Sequence, residues 1–520
     1  MKDYKELLLY DIKSLKKYFK NKNVVAYGNG SFFNKTKEHL KLFNLEFADI
    51  LYTKIDKIVS TSGKSYGDIA KNSAILICSS FSSEILKTLK SQKTQPKNIK
   101  IATFLVTSDE ELNPYKQELA KVMQRRHKLF LQKLKDKKKI KVIFLVLFES
   151  VWKLDAVFRK MLDDPYFEPI ILVIPFTPYG EEKMWEEMTK TYQYFKQKEY
   201  PCLLSYCKKE GRWIALDEIS ADMVFFTNPH NLTHKDYYED AYLNYLSCYA
   251  GYGMHTANYN NGQSQYNQRF HNCIWKIFVQ NKDMLKGYEK YSNLSKKNIH
   301  LSIDDIVEKL QNKEIINPVW KNFYTHKKVI WAPHHTIIKN SILELSTFLI
   351  YANFMKDLSI NTKNTITWSF KPHPHLISKL YNHIDWGKKK TDEYYNFWKH
   401  QSNTQYDSGE YIDLFKQSDA LIHDSASFLA EYIFTNKPML YLSSNDTKKY
   451  LNKFGNSCLD TAYKSFNKKQ ILSFLNKIVL KNKDDKIIKR NKFIKKYYKD
   501  LGKNGKSNSV INIIKNKIKA

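Results

Sequence analysis

Short apolar runs alternate with amphipathic stretches along most of the chain. Residues 23–27 are apolar and lead into GNGSFF and then the helical KTKEHLKLF; a second apolar run ends at Asp49, and AILICSS (74–80) precedes SSEILKTLKSQ. Strand followed by helix, repeated over residues 1–112, predicts a small parallel-sheet unit covered by helices. Residues 113–139 are polar, lysine-rich and helical in period, and predict a linker helix. The rhythm resumes with IKVIFLVLF (140–148), the helix VWKLDAVFRKML, the strand PIILVIP, the helix EEKMWEEMTKTYQYFKQK and the strand DMVFFTNP. HKDYYEDAYLNYLSCYA then leans helical, before the irregular YGMHTANYNNGQSQYN. A third α/β stretch runs from KVIWAPHHTI (328–337) through ITWSFKPHPHL (366–376) to EYIDLFKQSDALIHDSASFLAEYIFTNKPMLYLS (410–443). Domain limits follow: 1–112, 113–139, 140–310, 311–495, and a basic helix or tail over 496–520.

In the first unit, Gly28 and Gly30 stand where a dinucleotide-binding turn wants them, but Phe33 takes the third glycine's place. The unit therefore reads as a Rossmann-like module that binds no dinucleotide, with a working cofactor site as the alternative.

Composition narrows the classes. With 42% hydrophobic and 14% aromatic residues, the 520-residue chain can fill several cores. No apolar run approaches the ~20 residues of a membrane span, and the charged start MKDYKELLLYDIKSL lacks a signal peptide's apolar centre. A cytoplasmic location is expected, possible contact with the inner face of the cell membrane included. The six cysteines (Cys78, Cys202, Cys207, Cys248, Cys273, Cys458) form no CxxC pair, which points to free thiols. A net charge of +32 attracts anions, whether nucleic acid, an anionic membrane surface or a phosphate-bearing substrate. Its lysines are dispersed and no nucleic-acid motif accompanies them, so no nucleic-acid partner is expected.

Chemistry concentrates in the third stretch. Three apolar strands end in polar residues: VIWA in PHHT, ITWSF in KPHPH, and ALI in HDSAS. Ligands of open parallel sheets bind at the carboxyl ends of the strands. His334, His335, Lys371, His373, His375, Asp424, Ser425 and Ser427 would there line one anion-ready pocket. Small hydroxyl residues at a helix start offer donors to a diphosphate, and Glu431, one turn on, can accept from ribose hydroxyls. The two prolines of KPHPH predict an extended backbone with His373 and His375 on one side.

The order strand–APxx, strand–KPHP, LFxxSDxLIxDxSSxxxEyxxxxKPxlyl resembles the CDP-glycerol glycerophosphotransferases of teichoic acid and capsule synthesis. It is also similar to capsule glycosyltransferases with HP and serine motifs. The resemblance covers residues 140–500, with its specific part at 328–443. It implies an α/β fold of the GT-B kind: two Rossmann-like halves facing a cleft, here preceded by the small N-terminal unit. It further implies that Lys371 and His373 meet nucleotide phosphates, that Ser427 cradles the diphosphate and that Glu431 holds the ribose. Where the wall teichoic acid enzymes carry TDYSS this chain has HDSAS, and in place of their HGTP loop stands Tyr252-Gly253-Met254-His255-Thr256. His255 then becomes the candidate general base, with a pKa near neutrality, and His373 is the second catalytic candidate, donating to phosphate or assisting the leaving group.

The expected reaction moves glycerol phosphate, or a related alditol phosphate, from a CDP-activated donor to a surface-polysaccharide or lipid-linked acceptor. A nucleotide-sugar glycosyltransferase and a non-catalytic scaffold of capsule assembly are the rivals. No Asp-x-Asp cluster lies at a strand end; Asp304-Asp305 falls in a connector and Asp484-Asp485 in the basic tail, so neither metal nor cofactor is expected.

Overall fold

A computed structural model describes residues 8–9, 12–54, 57–79, 81–102, 113–178, 180–251, 253–258, 262–301, 305–312, 314, 317–321, 326–338, 344–443, 447–498 and 506–520. The chain divides into two compact units. The first comprises Met1–Leu129 with Tyr266–Cys273 and Tyr291–Leu294; the second holds the remainder.

The first unit is built on a six-stranded sheet of β1 (Leu8–Leu9), β2 (Val24–Tyr27), β3 (Asp49–Lys54), β4 (Lys57–Ser60), β5 (Ala74–Ile77) and β6 (Asn98–Ala102). Their order is β1-β6-β5-β2-β3-β4, parallel except for the β3–β4 hairpin. Gly28 has φ +131°, and a Cβ there would lie 2.7 Å from the Cys78 carbonyl oxygen, so neighbouring backbone rather than a ligand demands this glycine. An added Cβ at Gly30 meets nothing within 4 Å. Asp49 opens β3 instead of ending it, and its carboxylate accepts from the hydroxyls of Ser60, Thr61 and Ser62. Its acceptors are spent within the module.

The second unit carries two parallel sheets. The first half contains β7 (Ile140–Val146), β8 (Phe167–Val173), β9 (Cys202–Leu204), a hairpin of β10 (Tyr206–Cys207) and β11 (Arg212–Trp213), then β12 (Met223–Phe226), β13 (Leu246–Ala250), β14 (Lys276–Val279) and β15 (Ile299–Leu301). The main sheet runs β15-β14-β13-β12-β7-β8-β9. The second half contains β16 (Lys327–Ala332), β17 (Ile366–Phe370), β18 (Thr404–Tyr406), β19 (Ala420–His423), β20 (Met439–Leu442) and β21 (Tyr463–Ser465), in the order β18-β17-β16-β19-β20-β21. Each of these two sheets grows first one way and then the other. That leaves a switch point between β7 and β12, and a second between β16 and β19.

Burial explains the elements. Strands covered by helices on both faces read as unbroken apolar runs, and β7, β13, β17 and β19 are buried almost throughout. The helix-leaning reading of residues 234–250 is corrected here: a short helix, Glu239–Asn244, gives way to β13. LSCYA is buried at every position, and such a run carries no alternation to announce a strand.

The C-terminal segment, read as a basic helix or tail, contains helix Lys506–Lys519. Its Val510, Ile511, Ile514 and Ile518 share the core of the first half with Phe144, Phe158 and Phe225, while Lys515 pairs with Asp164 at 2.7 Å. Among the described residues no helix is long and apolar enough to cross a membrane. The six cysteines are free, and all but Cys207 are buried.

Candidate functional site

Strands β17, β16 and β19 are adjacent, so their carboxyl ends deliver three loops to one place. Beyond β16 comes Pro333-His334-His335, beyond β17 Lys371-Pro372-His373, and beyond β19 Asp424-Ser425. The first two loops continue the ladder: Lys371 N–H donates to the Trp331 carbonyl at 2.9 Å and His373 N–H to that of Pro333 at 3.0 Å. The imidazoles therefore converge. Ring centroids of His335 and His373 are 4.1 Å apart, His334 and His335 4.4 Å, and His334 and His373 5.1 Å. His375 completes the group at 5.2 Å from His373. The expected same-side placement of His373 and His375 thus arises through a turn rather than an extended strand, with His375 at φ −78° and ψ −4°.

Burial keeps these rings uncharged, since a low-dielectric site penalises the imidazolium. It lowers His334 to about 3 and His335 to about 2, helped at both by Lys379 and His375, and holds His373 well below the ordinary range, helped by His335 and His334. Burial likewise brings Lys371 down to about 8.

Asp424 occupies another role than the expected phosphate contact. Its Oδ1 accepts from His334 N–H at 2.6 Å, and its Oδ2 accepts from the N–H and hydroxyl of Thr347 at 2.5 and 2.8 Å. A buried carboxylate with its oxygens so engaged braces the histidine loop, and as an anion it would repel phosphate. Ser425 caps helix Ala426–Glu431, accepting from Phe428 N–H at 3.5 Å, while Ser427 is exposed on the first turn.

Lys371 and Glu431 meet around Tyr411. The Lys371 Nζ donates to the Gly409 carbonyl at 3.0 Å and lies 5.8 Å from the centre of the Tyr411 ring. Tyr411 donates its hydroxyl proton to Glu431 Oε2 at 2.5 Å and accepts from Lys153 Nζ of the first half at 2.6 Å. Burial raises the Glu431 pKa, against the pull of Lys153 and Tyr411.

Other contacts also join the two halves, Tyr194 from helix Glu181–Gln197 and the rest from segments that follow strands. Phe176 stacks on His375 with centroids 6.5 Å apart, Tyr194 donates to Glu410, and Thr256 Oγ1 donates to the Ala426 carbonyl at 3.1 Å. The strand ends of both halves therefore face one cleft. On the first-half side, a narrow crevice opens at the β7–β12 switch point, lined by Leu145, Leu147, Phe226, Thr227, Asn228 and His230 among others.

His255 is half-buried on the loop after β13, where Asn452 Nδ2 donates to its carbonyl at 2.6 Å. Burial, with His230 nearby, lowers its pKa to about 4, not the near-neutral value expected. Tyr252 of the same string lies outside the described residues.

Ring nitrogens of His334, His335 and His373 fall within 4.8 Å of one another, close enough to share a transition-metal ion. Their hydrogen bonds favour another use. His373 Nδ1 accepts from His375 N–H at 3.2 Å, and His334 Nδ1 is paired with Thr336 Oγ1 at 3.0 Å. Of the expected non-metal acidic pairs, Asp304 lies outside the described residues, while Asp484 and Asp485 bind Tyr463. Sequence reasoning passed over Lys153, Tyr411 and Thr336, although Tyr411 and Thr336 stand inside the strings that mark the site.

Two parallel sheets, each with a ligand-ready switch point, facing one cleft and tied by a C-terminal helix that returns to the first half, define the GT-B class. The chain is similar to the S. aureus MnaA–UDP co-structure (13% identity, TM-score 0.47, 73% of this chain and 96% of that one). It is similar too to a putative UDP-N-acetylglucosamine 2-epimerase from Listeria monocytogenes (12%, 0.46, 72% and 96%). A third such structure is that of the wall teichoic acid polymerase TagF (12%, 0.48, 76% and 94%). No protein-family model and no curated protein matches the chain.

Proposed function

We propose that this chain is a transferase that draws on a nucleotide-activated donor, and specifically that it moves an alditol phosphate such as glycerol phosphate from a CDP-activated donor to a surface-glycan acceptor. One observation carries the proposal: four uncharged imidazoles gathered at adjacent strand ends, beside a switch point, with a buried carboxylate bracing one of their loops. Such an array suits an anion whose charge grows as a bond breaks. The KPHP and serine motifs suit an alditol-phosphate donor and a nucleotide sugar alike, and transfer of a sugar is the second reading.

In the step envisaged, the acceptor hydroxyl lies in the first-half crevice and attacks the donor's β-phosphorus in line. A new P–O bond forms, the bond from that phosphorus to the bridging oxygen breaks, and CMP departs with the electron pair. The hydroxyl proton passes to His255, a weak base because burial disfavours its imidazolium. His334, His373 and Lys371 face the departing phosphate, and Glu431 holds ribose hydroxyls through Oε1. Work on a lipid-linked acceptor places the protein at the cytoplasmic face of a membrane, where its net charge of +32 favours anionic lipid.

A thermal-shift screen of nucleotides tests the donor, because a ligand that binds only the folded state raises its stability. Stabilisation by CDP and CMP above UDP and GDP is expected; no shift with any nucleotide defeats the reading. His373→Ala should abolish polymer synthesis in cells, whereas a scaffold would tolerate it. Phosphorus gained by the product distinguishes alditol-phosphate transfer from sugar transfer.

A further inference from the structure

The loop after β16 contains a hydroxyl whose hydrogen bonds can be fully assigned. Thr336 Oγ1 accepts from Leu345 N–H at 3.1 Å and from Ser346 N–H at 3.3 Å. A hydroxyl has two acceptor positions and one proton. With both acceptor positions taken by groups that can only donate, the proton goes to the remaining partner, His334 Nδ1, at 3.0 Å. A neutral ring accepting at Nδ1 carries its own proton on Nε2. His373 reaches the same state by another route, since its Nδ1 accepts from the backbone N–H of His375 at 3.2 Å. The His334 loop is held further by Ser346 Oγ, which donates to the His334 carbonyl at 2.7 Å, and by Asp424 on the His334 N–H. His335, between the two rings, has no such tie: its Nδ1 is buried with no partner among the described residues.

We propose that Thr336 is a positioning residue that holds His334 as the Nε2–H tautomer, so that His334 and His373 meet the donor diphosphate as a matched pair of uncharged N–H donors. This deepens the transferase reading and rests on it. Neutral donors keep their hydrogen bonds without first gaining a proton, so diphosphate binding does not follow imidazolium formation. The same arrangement turns N–H groups, rather than lone pairs, toward the ligand.

The test uses the full chain labelled with ¹⁵N-histidine, with His334→Gln to assign its ring signals. Wild-type His334 should show a protonated Nε2 and an unprotonated, accepting Nδ1 from pH 6 to 8; a protonated Nδ1 would overturn the proposal without any variant. CDP binding, followed by calorimetry, should weaken roughly tenfold in Thr336→Val, the scale of one lost hydrogen bond, and recover in Thr336→Ser. Unchanged binding in the folded Val variant, or no recovery with Ser, also overturns it. Wild-type protein that ignores CDP, yet shows the assigned tautomer, defeats the donor reading and leaves the tautomer assignment standing.

Discussion

Gly455 packs directly beneath Thr256: a Cβ on the glycine would lie 2.2 Å from the threonine's carbonyl oxygen. That oxygen also accepts from Asn452 N–H at 2.9 Å, so the loop carrying His255 is seated on helix Lys453–Leu459 of the other half. Because the obstructing atom is backbone, it cannot rotate away. Gly455→Ala should cost about 1–3 kcal/mol, the usual scale of overpacking, and should lower kcat more than it disturbs secondary structure. Gly253, on the same loop, has nothing within 4 Å of an added Cβ, and Gly253→Ala serves as the control. Equal urea midpoints for the two variants would contradict this seating.

Lys153, Tyr411 and Glu431 form a relay from ammonium to phenol to carboxylate, across the cleft. Tyr411→Phe removes the central hydroxyl and leaves a buried carboxylate short of a donor, a loss of about 1–3 kcal/mol. Donor KM should rise by roughly tenfold or more, with the Lys153→Met variant showing a smaller effect of the same sign. Wild-type kinetics in Tyr411→Phe would remove the relay from donor binding.

Acid should unfold the second unit early. Burial lowers His255 and His300 to about 4, His334 and His423 to about 3 and His335 to about 2, against 6.5 for an unburied ring. Below pH 6.5 the unfolded chain takes up protons that the folded rings refuse, so stability falls as pH falls. Each such ring contributes up to ~1.4 kcal/mol per pH unit. Asp424 acts oppositely, since burial raises it from 3.8 to about 6 and folding then gains from its protonation. Glu431, whose pKa burial also raises, acts in the same sense as Asp424, and two carboxyls do not offset five histidines. Urea midpoints measured from pH 7.5 to 5 should drop steeply, and a flat or rising series would refute the assignment of these rings as buried and neutral.

Turnover should be unchanged by EDTA. The acceptor positions on His334 and His373 are already engaged at Nδ1, and Lys371 supplies a fixed positive charge where a metal would otherwise serve. Strict dependence on added magnesium would refute it.

Much of the second half could be read from the chain because its signals are local. The runs VIWA, ITWSF and ALIH are buried strands, and the change to histidine, lysine and hydroxyl residues marks where each one ends. What eluded reading depends on distance. Lys153 and Tyr411 are 258 positions apart, and neither one's string points to the other as its partner. Asp424 sits in a polar motif that suits a ligand contact, and only the partners on His334 and Thr347 reveal it as a brace. β13 was hidden because complete burial erases alternation, and aromatic LSCYA fits a helix as readily as a strand. Gly28 shows the converse: a glycine suggestive of cofactor binding is required by the carbonyl of Cys78.

Helix Lys506–Lys519 belongs to a core whose last strand ends at Leu301. At about 5–20 residues per second of synthesis, the roughly 200 residues between them take about 10–40 s to emerge. For that interval the groove destined for Val510, Ile511, Ile514 and Ile518 lies open on the nascent chain, while β16–β21 emerge and share their core with Met254 and Ala257, made earlier. The half translated earlier is thus completed later, and in the cell its apolar groove is a natural substrate for chaperones until that helix arrives.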